Sequence, residues 1–122
     1  MPFTYNLMVV SMHATMDLDL LFHALADATR RDIVRRAMAG AEGVAELADH
    51  YPMSFAAVQK HISVLERAGL VVKHQTGRRK LVHTDPRGLQ AARQALDAYE
   101  ATWRDRLDRM AEIVEGPQEN RP

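Results

Sequence analysis

Apolar residues recur every three or four positions near the start of the chain, which is the spacing of one helical face. The segment from Asp17 to Ala26 predicts a first helix capped by Asp17, with apolar residues at Leu18, Leu21, Phe22 and Leu25. The segment ATRRDIVRRAM, after a capping Asp27, predicts a second helix that ends at Gly40, with an inward face of Ile33, Val34, Ala37 and Met38. Its arginines are interpreted as a solvated face.

Two shorter helical segments follow in close succession. VAELADHY places Val44, Leu47 and Ala48 on one side, and Pro52 is expected to stop this helix. Ser54 then caps a further helix, for which Gly69 is well placed as the C-cap. Steps of three, four and three residues predict a core-facing side formed by Phe55, Val58, Ile62 and Leu65.

Beyond Gly69 the segments LVVKHQT and KLVHT read as two strands around the basic turn GRR. A two-stranded hairpin alone is only marginally stable. We therefore expect this hairpin to pack against the helices.

Pro86 is predicted to begin a long final helix that runs to Glu115. Its apolar stripe has nearly the spacing of a heptad seam and comprises Leu89, Ala92, Leu96, Tyr99, Trp103, Leu107, Met110 and Val114. A helix about 40 Å long outreaches the core of such a small domain. Part of the stripe is therefore expected to contact another chain, most simply a second copy.

Length and composition narrow the class of protein. The 122 residues, 47% of them hydrophobic, fit one small domain over residues 17–115, with an arm at 1–16 and a polar tail at 116–122. The absence of cysteine excludes disulfides and thiolate metal sites and favours a reducing cytoplasm. No run approaches the roughly 20 apolar residues of a membrane helix, so a soluble protein with no membrane partner is expected.

Charge is balanced overall but not locally. The chain has 16 basic and 16 acidic residues, yet residues 54–80 contain six basic residues against one acidic residue. Two short helices followed by a basic hairpin are typical of a winged helix-turn-helix, in which the second helix enters the major groove of DNA. The predicted fold is therefore mainly α with a small β-hairpin, and its expected partner is double-stranded DNA.

The candidate DNA contacts follow from this geometry. Ala56 and Ala57 allow close approach to base edges, Gln59 suits an adenine edge, and Lys60 suits a guanine edge or a phosphate. The hairpin cations suit the phosphate backbone or a narrow minor groove. The complete candidate set is Ser54, Ala56, Ala57, Gln59, Lys60, His61, Ser63, Lys73, Arg78, Arg79 and Lys80.

The stretch from Phe22 to Thr84 resembles the ArsR/SmtB family of bacterial transcriptional regulators. The motifs that carry the resemblance are FHALADATRRDIV, VAELADHYPMSFAAVQKHISVLERAGLVV and GRRKLVH. The resemblance implies a homodimeric repressor that dimerises through its first and last helices. The candidate interface residues are Leu18, Leu21, Phe22, Leu96, Tyr99, Trp103, Leu107 and Met110. The chain departs from many relatives at Phe55 and Gln59, so no operator sequence is carried over.

Founding members of that family sense metals through cysteines or Asp/His pairs. This chain has no cysteine, and its final helix, residues 86–115, has no histidine. None of its six histidines forms a His-x-x-x-His pair. The chain therefore resembles a cysteine-free branch that does not sense metals, and neither a metal nor a cofactor is expected.

Two functional hypotheses remain after catalysis is set aside. No serine lies in an elbow motif and no Gly-rich loop is present, so an enzyme is not expected. The favoured hypothesis is a sequence-specific homodimeric repressor that acts at its own or a neighbouring promoter, with an inducer that the sequence does not identify. The alternative is a dimeric interaction or small-ligand-binding protein, whose apolar pocket would include Tyr99, Trp103 and Phe22.

Overall fold

The computed structural model describes residues 16–116, so the predicted N-terminal arm and polar tail lie almost entirely outside the described residues. The chain is mainly helical with a small antiparallel sheet, as predicted. In chain order the elements are α1 (Leu18–Leu25), α2 (Ala28–Ala39), β1 (Glu42–Gly43), α3 (Val44–Ala48), α4 (Phe55–Arg67), β2 (Val71–Thr76), β3 (Arg79–Thr84) and α5 (Pro86–Glu115).

Side-chain caps begin three of the helices, and all three were predicted. The carboxylate of Asp17 accepts a hydrogen bond from the backbone N–H of Leu20 at 3.1 Å, and that of Asp27 accepts one from Arg30 at 3.0 Å. The Ser54 hydroxyl accepts a hydrogen bond from the N–H of Ala57 at 3.0 Å. Each cap satisfies a backbone donor that the helix itself leaves unpaired.

The helix ends agree less uniformly with the sequence pattern. α3 ends at Ala48 with Asp49 as its C-cap, so the expectation that Pro52 stops this helix is wrong. Pro52 instead lies in the turn that leads into α4. α4 ends at Arg67, and Gly69 follows with a φ of 78°, a left-handed conformation that favours glycine.

The sheet has three strands in the order β1-β3-β2, all antiparallel. The predicted hairpin is confirmed, with Val71 opposite Thr84 and Thr76 opposite Arg79. Strand β1 was not predicted, because a two-residue strand carries no alternating pattern. Its pairing with Val82 and Leu81 of β3 joins the hairpin to the segment between α2 and α3.

One apolar core joins the helices to the hairpin. Its fully buried side chains are Leu21, Ile33, Leu47, Val58, Ile62, Leu65, Leu70, Val71 and Val82. Two residues expected to face inward do not: Phe55 is 48% exposed and Met38 is 56% exposed. Phe55 is the first residue of α4 and Met38 the last but one of α2, so both lie at helix ends, beyond the neighbours that bury the helix centres.

A close backbone approach joins the end of α4 to the start of α5. The N–H of Gly88 donates a 2.9 Å hydrogen bond to the carbonyl oxygen of Gly69. A Cβ atom at position 88 would lie only 2.4 Å from that oxygen. Glycine at position 88 is therefore required by packing, although it lies within a helix.

The chain divides into two compact units, with the boundary between Ala92 and Arg93. The first contains α1 to α4, the sheet and the start of α5, whereas the second contains the rest of α5. The single domain predicted over residues 17–115 includes parts of both and stays a prediction. Among the described residues, no helix combines the length and the apolar character needed to cross a membrane.

Candidate nucleic-acid interface

The outward face of α4 is free of core contacts. Val58, Ile62 and Leu65 are fully or almost fully buried and fix one side of the helix in the core. Ala56 and Lys60, on the other side, are exposed, as predicted from the helical spacing. This leaves a surface of small side chains and one long cation that can approach another molecule closely.

Ser54 and Gln59 extend this face, whereas Ala57 and Ser63 lie partly buried at its edge. The oxygen of the Ser54 hydroxyl is occupied as the helix cap, but its hydrogen remains available to an external acceptor such as a phosphate oxygen. The Gln59 amide is exposed and offers both a donor and an acceptor.

His61 lies on the partly buried flank of α4 beside Ala57, one helical turn further along. Its Nδ1 atom is 3.2 Å from a guanidinium nitrogen of Arg30 and 3.9 Å from a carboxylate oxygen of Asp27. Because a guanidinium can only donate, this contact is a hydrogen bond in the tautomer whose Nδ1 carries no proton, and that tautomer carries its proton on Nε2. Only Nε2 is then left for the phosphate contact that the sequence suggests.

Arg30 is a structural residue that the sequence did not reveal. Its guanidinium donates hydrogen bonds to the carbonyl oxygens of Ala24 at 2.8 Å and His23 at 3.0 Å, as well as contacting His61. These carbonyls lie at the end of α1, where that of His23 also accepts a 3.1 Å hydrogen bond from the backbone N–H of Ala26. The interpretation of the α2 arginines as a solvated face is therefore wrong for Arg30, which ties α1, α2 and α4 together.

Asp32 and Tyr51 fix the turn that leads into α4. The Tyr51 hydroxyl donates a 2.7 Å hydrogen bond to Asp32, which also accepts one from Arg36 at 2.9 Å and pairs with Arg35. The bond from Tyr51, followed by those from the arginines, lowers the pKa of Asp32 to about 2. Burial, followed by the contact with Asp32, raises the pKa of Tyr51 to about 12. Both groups therefore hold their charge states near neutral pH.

The hairpin carries four candidate cations, which fall into two groups: Arg78 and Lys80, and Lys73 and Arg79. Arg78 and Lys80 are exposed, and neither side chain has a hydrogen bond or ion pair with any residue in the described part of the chain. Arg79 forms an ion pair with Glu46, whose pKa is lowered by the N–H of Gly43 and then by Arg79. Lys73 lies 3.5 Å from Glu66. Exposed pairs of this kind contribute little stability, so a phosphate could replace either carboxylate.

A cleft of about 190 Å³ separates α4 from the hairpin. It is lined by Val44, Phe55, Gln59, Ile62, Lys73 and Lys80. Candidates from the helix and from the hairpin therefore border one continuous surface, which the sequence pattern alone could not establish. Phe55 belongs to this surface and was missed, because its spacing from Val58 and Ile62 matched a core position.

The residues predicted to form the dimer interface differ in how much of their side chains is exposed in the single chain. Leu21 is fully buried within its own chain, so the expectation that it contacts a second copy is corrected. Leu18 and Phe22 of α1 are partly exposed. The candidates on α5 are all exposed in the single chain and comprise Leu96, Tyr99, Trp103, Leu107 and Met110.

No group of three or more potential metal ligands is found among residues 16–116. No catalytic residue was predicted.

Comparison with known proteins gives one curated relative of high coverage, although no protein-family model matches the chain. The HTH-type transcriptional regulator Rv2034 of Mycobacterium tuberculosis is 40% identical over 97 residues, which is 80% of this chain and 88% of the relative. The aligned region thus covers most of both proteins.

Solved structures agree with this result. An ArsR-like transcriptional regulator from Rhodococcus sp. RHA1 is 29% identical, with a TM-score of 0.75 over 83% of this chain and 93% of the other. A homodimeric winged helix-turn-helix DNA-binding domain from Mycobacterium bovis is 24% identical, with a TM-score of 0.55 over 70% of this chain and 78% of the other. The latter likeness concerns the fold alone.

Proposed function

This chain belongs to the ArsR family of winged helix-turn-helix transcriptional regulators, and from that premise we propose that it is a homodimeric, sequence-specific repressor of its own or a neighbouring promoter. The observation that carries the proposal is the shared surface of α4 and the hairpin. Exposed Lys60 and Gln59 lie on the helix, and Lys80 lies across the cleft from it.

In this proposal α4 enters the major groove and its side chains read base edges. Ala56 and Ala57 allow the helix to approach closely, Gln59 binds an adenine edge, and Lys60 binds a guanine edge or a phosphate. Ser54, Ser63 and His61 contact the backbone at the groove walls. Each role requires only the side-chain groups that remain free in the single chain.

The hairpin holds the DNA backbone beside the groove. Arg78 and Lys80 are free to bind phosphates, whereas Arg79 and Lys73 do so by exchanging their ion pairs with Glu46 and Glu66. This contact is independent of sequence and depends on salt, because bound cations release the counterions of DNA. It supplies affinity, while α4 supplies the choice of site.

Dimerisation is proposed to use the exposed apolar stripe of α5, with a contribution from Leu18 and Phe22 of α1. Large apolar side chains in succession along one face, such as Tyr99 and Trp103, are unusual on a monomer surface. Two copies related by a twofold axis would place two α4 helices in successive major grooves, about one helical turn apart. The dimer would then occlude RNA polymerase at a near-palindromic site.

This proposal places the protein in the cytoplasm with its DNA and assigns it no catalytic residue. Its relatives are transcriptional regulators, so the alternative of an interaction protein that does not bind an operator is not favoured.

A footprint on the gene's own upstream DNA tests the proposal. We expect protection of two half-sites centred about 10 base pairs apart, with matching sequences in opposite orientation. Protection of a single half-site would contradict the dimer, and uniform weak protection across the fragment would contradict sequence-specific binding.

A further inference from the structure

Phe55 is a large apolar side chain on the surface that the proposed function assigns to DNA. It is 48% exposed, although it is the first residue of a helix whose later apolar residues Val58 and Ile62 are buried. It follows the capping Ser54 and precedes Ala56, both of them candidate contacts. An isolated exposed apolar residue is ordinary, so the inference rests on the position of Phe55 among the candidate contacts of α4 and not on its exposure alone.

The neighbours of Phe55 in the cleft narrow the choice of partner. Gln59 lies one helical turn further along α4, and Lys73 and Lys80 border the cleft from the hairpin. The positive charges of Lys73 and Lys80 at this border repel a basic partner and favour a polyanion. Contact with Phe55 requires that this polyanion also present an apolar group. In the major groove the only apolar group on a base edge is the C5 methyl group of thymine.

We propose that Phe55 is a specificity-determining residue that packs on a thymine methyl group in the major groove, beside the adenine bound by Gln59. The inference rests on the proposed function and deepens it by naming the base that α4 selects. Because the N-terminal residues of a recognition helix lie nearest the base edges, the first turn of α4 is where such a contact is made. An adenine edge and a thymine methyl also belong to one A·T pair or to adjacent pairs, so Gln59 and Phe55 together read A·T.

The test removes the methyl groups from the DNA and leaves every hydrogen-bonding group in place. The gene's own upstream fragment is amplified with either thymidine or deoxyuridine nucleotides, and binding is measured by fluorescence anisotropy. The wild-type protein should bind the uracil fragment more weakly, by roughly fourfold for each methyl group withdrawn from water, and by roughly the square of that for a dimer.

Variants of the protein test whether the preference for thymine-containing DNA comes from the side chain of Phe55. Phe55→Ala should bind both fragments with nearly equal affinity, and Phe55→Leu should retain an intermediate preference. Met38→Ala, which truncates an exposed apolar residue of α2, should keep the wild-type ratio. Circular dichroism checks that each variant is folded. The comparison of the two fragments with the wild-type protein holds even if Phe55→Ala does not fold.

The measurements distinguish a failure of the Phe55 inference from a failure of the proposed function. Specific binding by the wild-type protein with equal affinity for both fragments would overturn the role of Phe55 alone. A preference that persists in Phe55→Ala would also overturn it and assign the methyl contact to the neighbouring alanines. Binding no tighter than to a scrambled fragment would overturn both the inference and the proposed function.

Discussion

The phenol of Tyr51 donates a 2.7 Å hydrogen bond to Asp32, which lies 19 residues earlier in the chain. This bond connects α2 to the turn that leads into α4. Asp32 also accepts a hydrogen bond from Arg36, so the turn is held by a small charged cluster as well as by the apolar core. The start of the proposed recognition helix is therefore fixed by residues that do not themselves face DNA.

Replacing Tyr51 by Phe should lower the free energy of unfolding by about 1 kcal/mol, because one hydrogen bond to a carboxylate is lost while the ring stays. Urea denaturation measures the difference. Equal stability of the wild-type and Tyr51→Phe proteins would show that this bond contributes nothing to the fold.

Asp32 should also make stability depend on pH in the acid range. Its pKa falls from 3.8 to about 2 on folding, chiefly through the bond from Tyr51. A carboxyl whose pKa is lowered in the folded state stabilises the protein above its unfolded pKa and loses that contribution as pH falls through the folded one. The stability difference between wild type and Asp32→Asn should therefore be constant above about pH 5 and shrink between about pH 4 and pH 2. A difference that is independent of pH would contradict this role.

Patterns that involve only residues close together in the sequence predicted most of the helices and strands. Asp17, Asp27 and Ser54 all cap helices as expected, because a cap depends only on the residues of the following turn. Strand β1 and the ion pair between Arg79 and Glu46 escaped prediction, since both depend on contacts between segments distant in sequence.

Contacts between distant segments also limited the prediction of the candidate site. The spacing of α4 correctly separated Lys60 from the core, but it also assigned Phe55 to the core. Periodicity reports which side of a helix a residue occupies and not whether a neighbouring element extends far enough to cover it. The dimer interface implied by the family resemblance likewise included Leu21, although it is fully buried within its own chain.

Gly88 should tolerate no side chain. In an ordinary helix Gly→Ala stabilises by about 1 kcal/mol. Here the new Cβ would lie 2.4 Å from the backbone oxygen of Gly69, so Gly88→Ala should instead destabilise by about 1–3 kcal/mol. Gly40→Ala is the control and should be nearly neutral, because nothing lies within 4 Å of its Cβ position. The midpoint of thermal unfolding is measured for both variants. Equal midpoints for Gly88→Ala and Gly40→Ala would contradict a close approach between the backbones at Gly88 and Gly69.

Trp103→Asp should shift the protein from dimer to monomer, because it places a charge in the apolar stripe of α5, where Trp103 is 57% exposed in the single chain. Sedimentation velocity reports the oligomeric state. Ala101→Asp introduces the same charge on another face of α5 and should leave the dimer intact. A stable Trp103→Asp dimer would exclude this stripe as the interface.

The most direct test of the central claim is fluorescence anisotropy on the gene's own upstream DNA and on a scrambled fragment, at about 50 and about 200 mM salt. Wild-type protein should bind its own upstream DNA more tightly and lose affinity steeply with salt. Lys60→Ala should weaken this binding while remaining dimeric, whereas Arg109→Ala, which removes the same charge from α5, should not. Equal and feeble binding to both fragments, or unchanged affinity in Lys60→Ala, would contradict a sequence-specific regulator that reads DNA through α4.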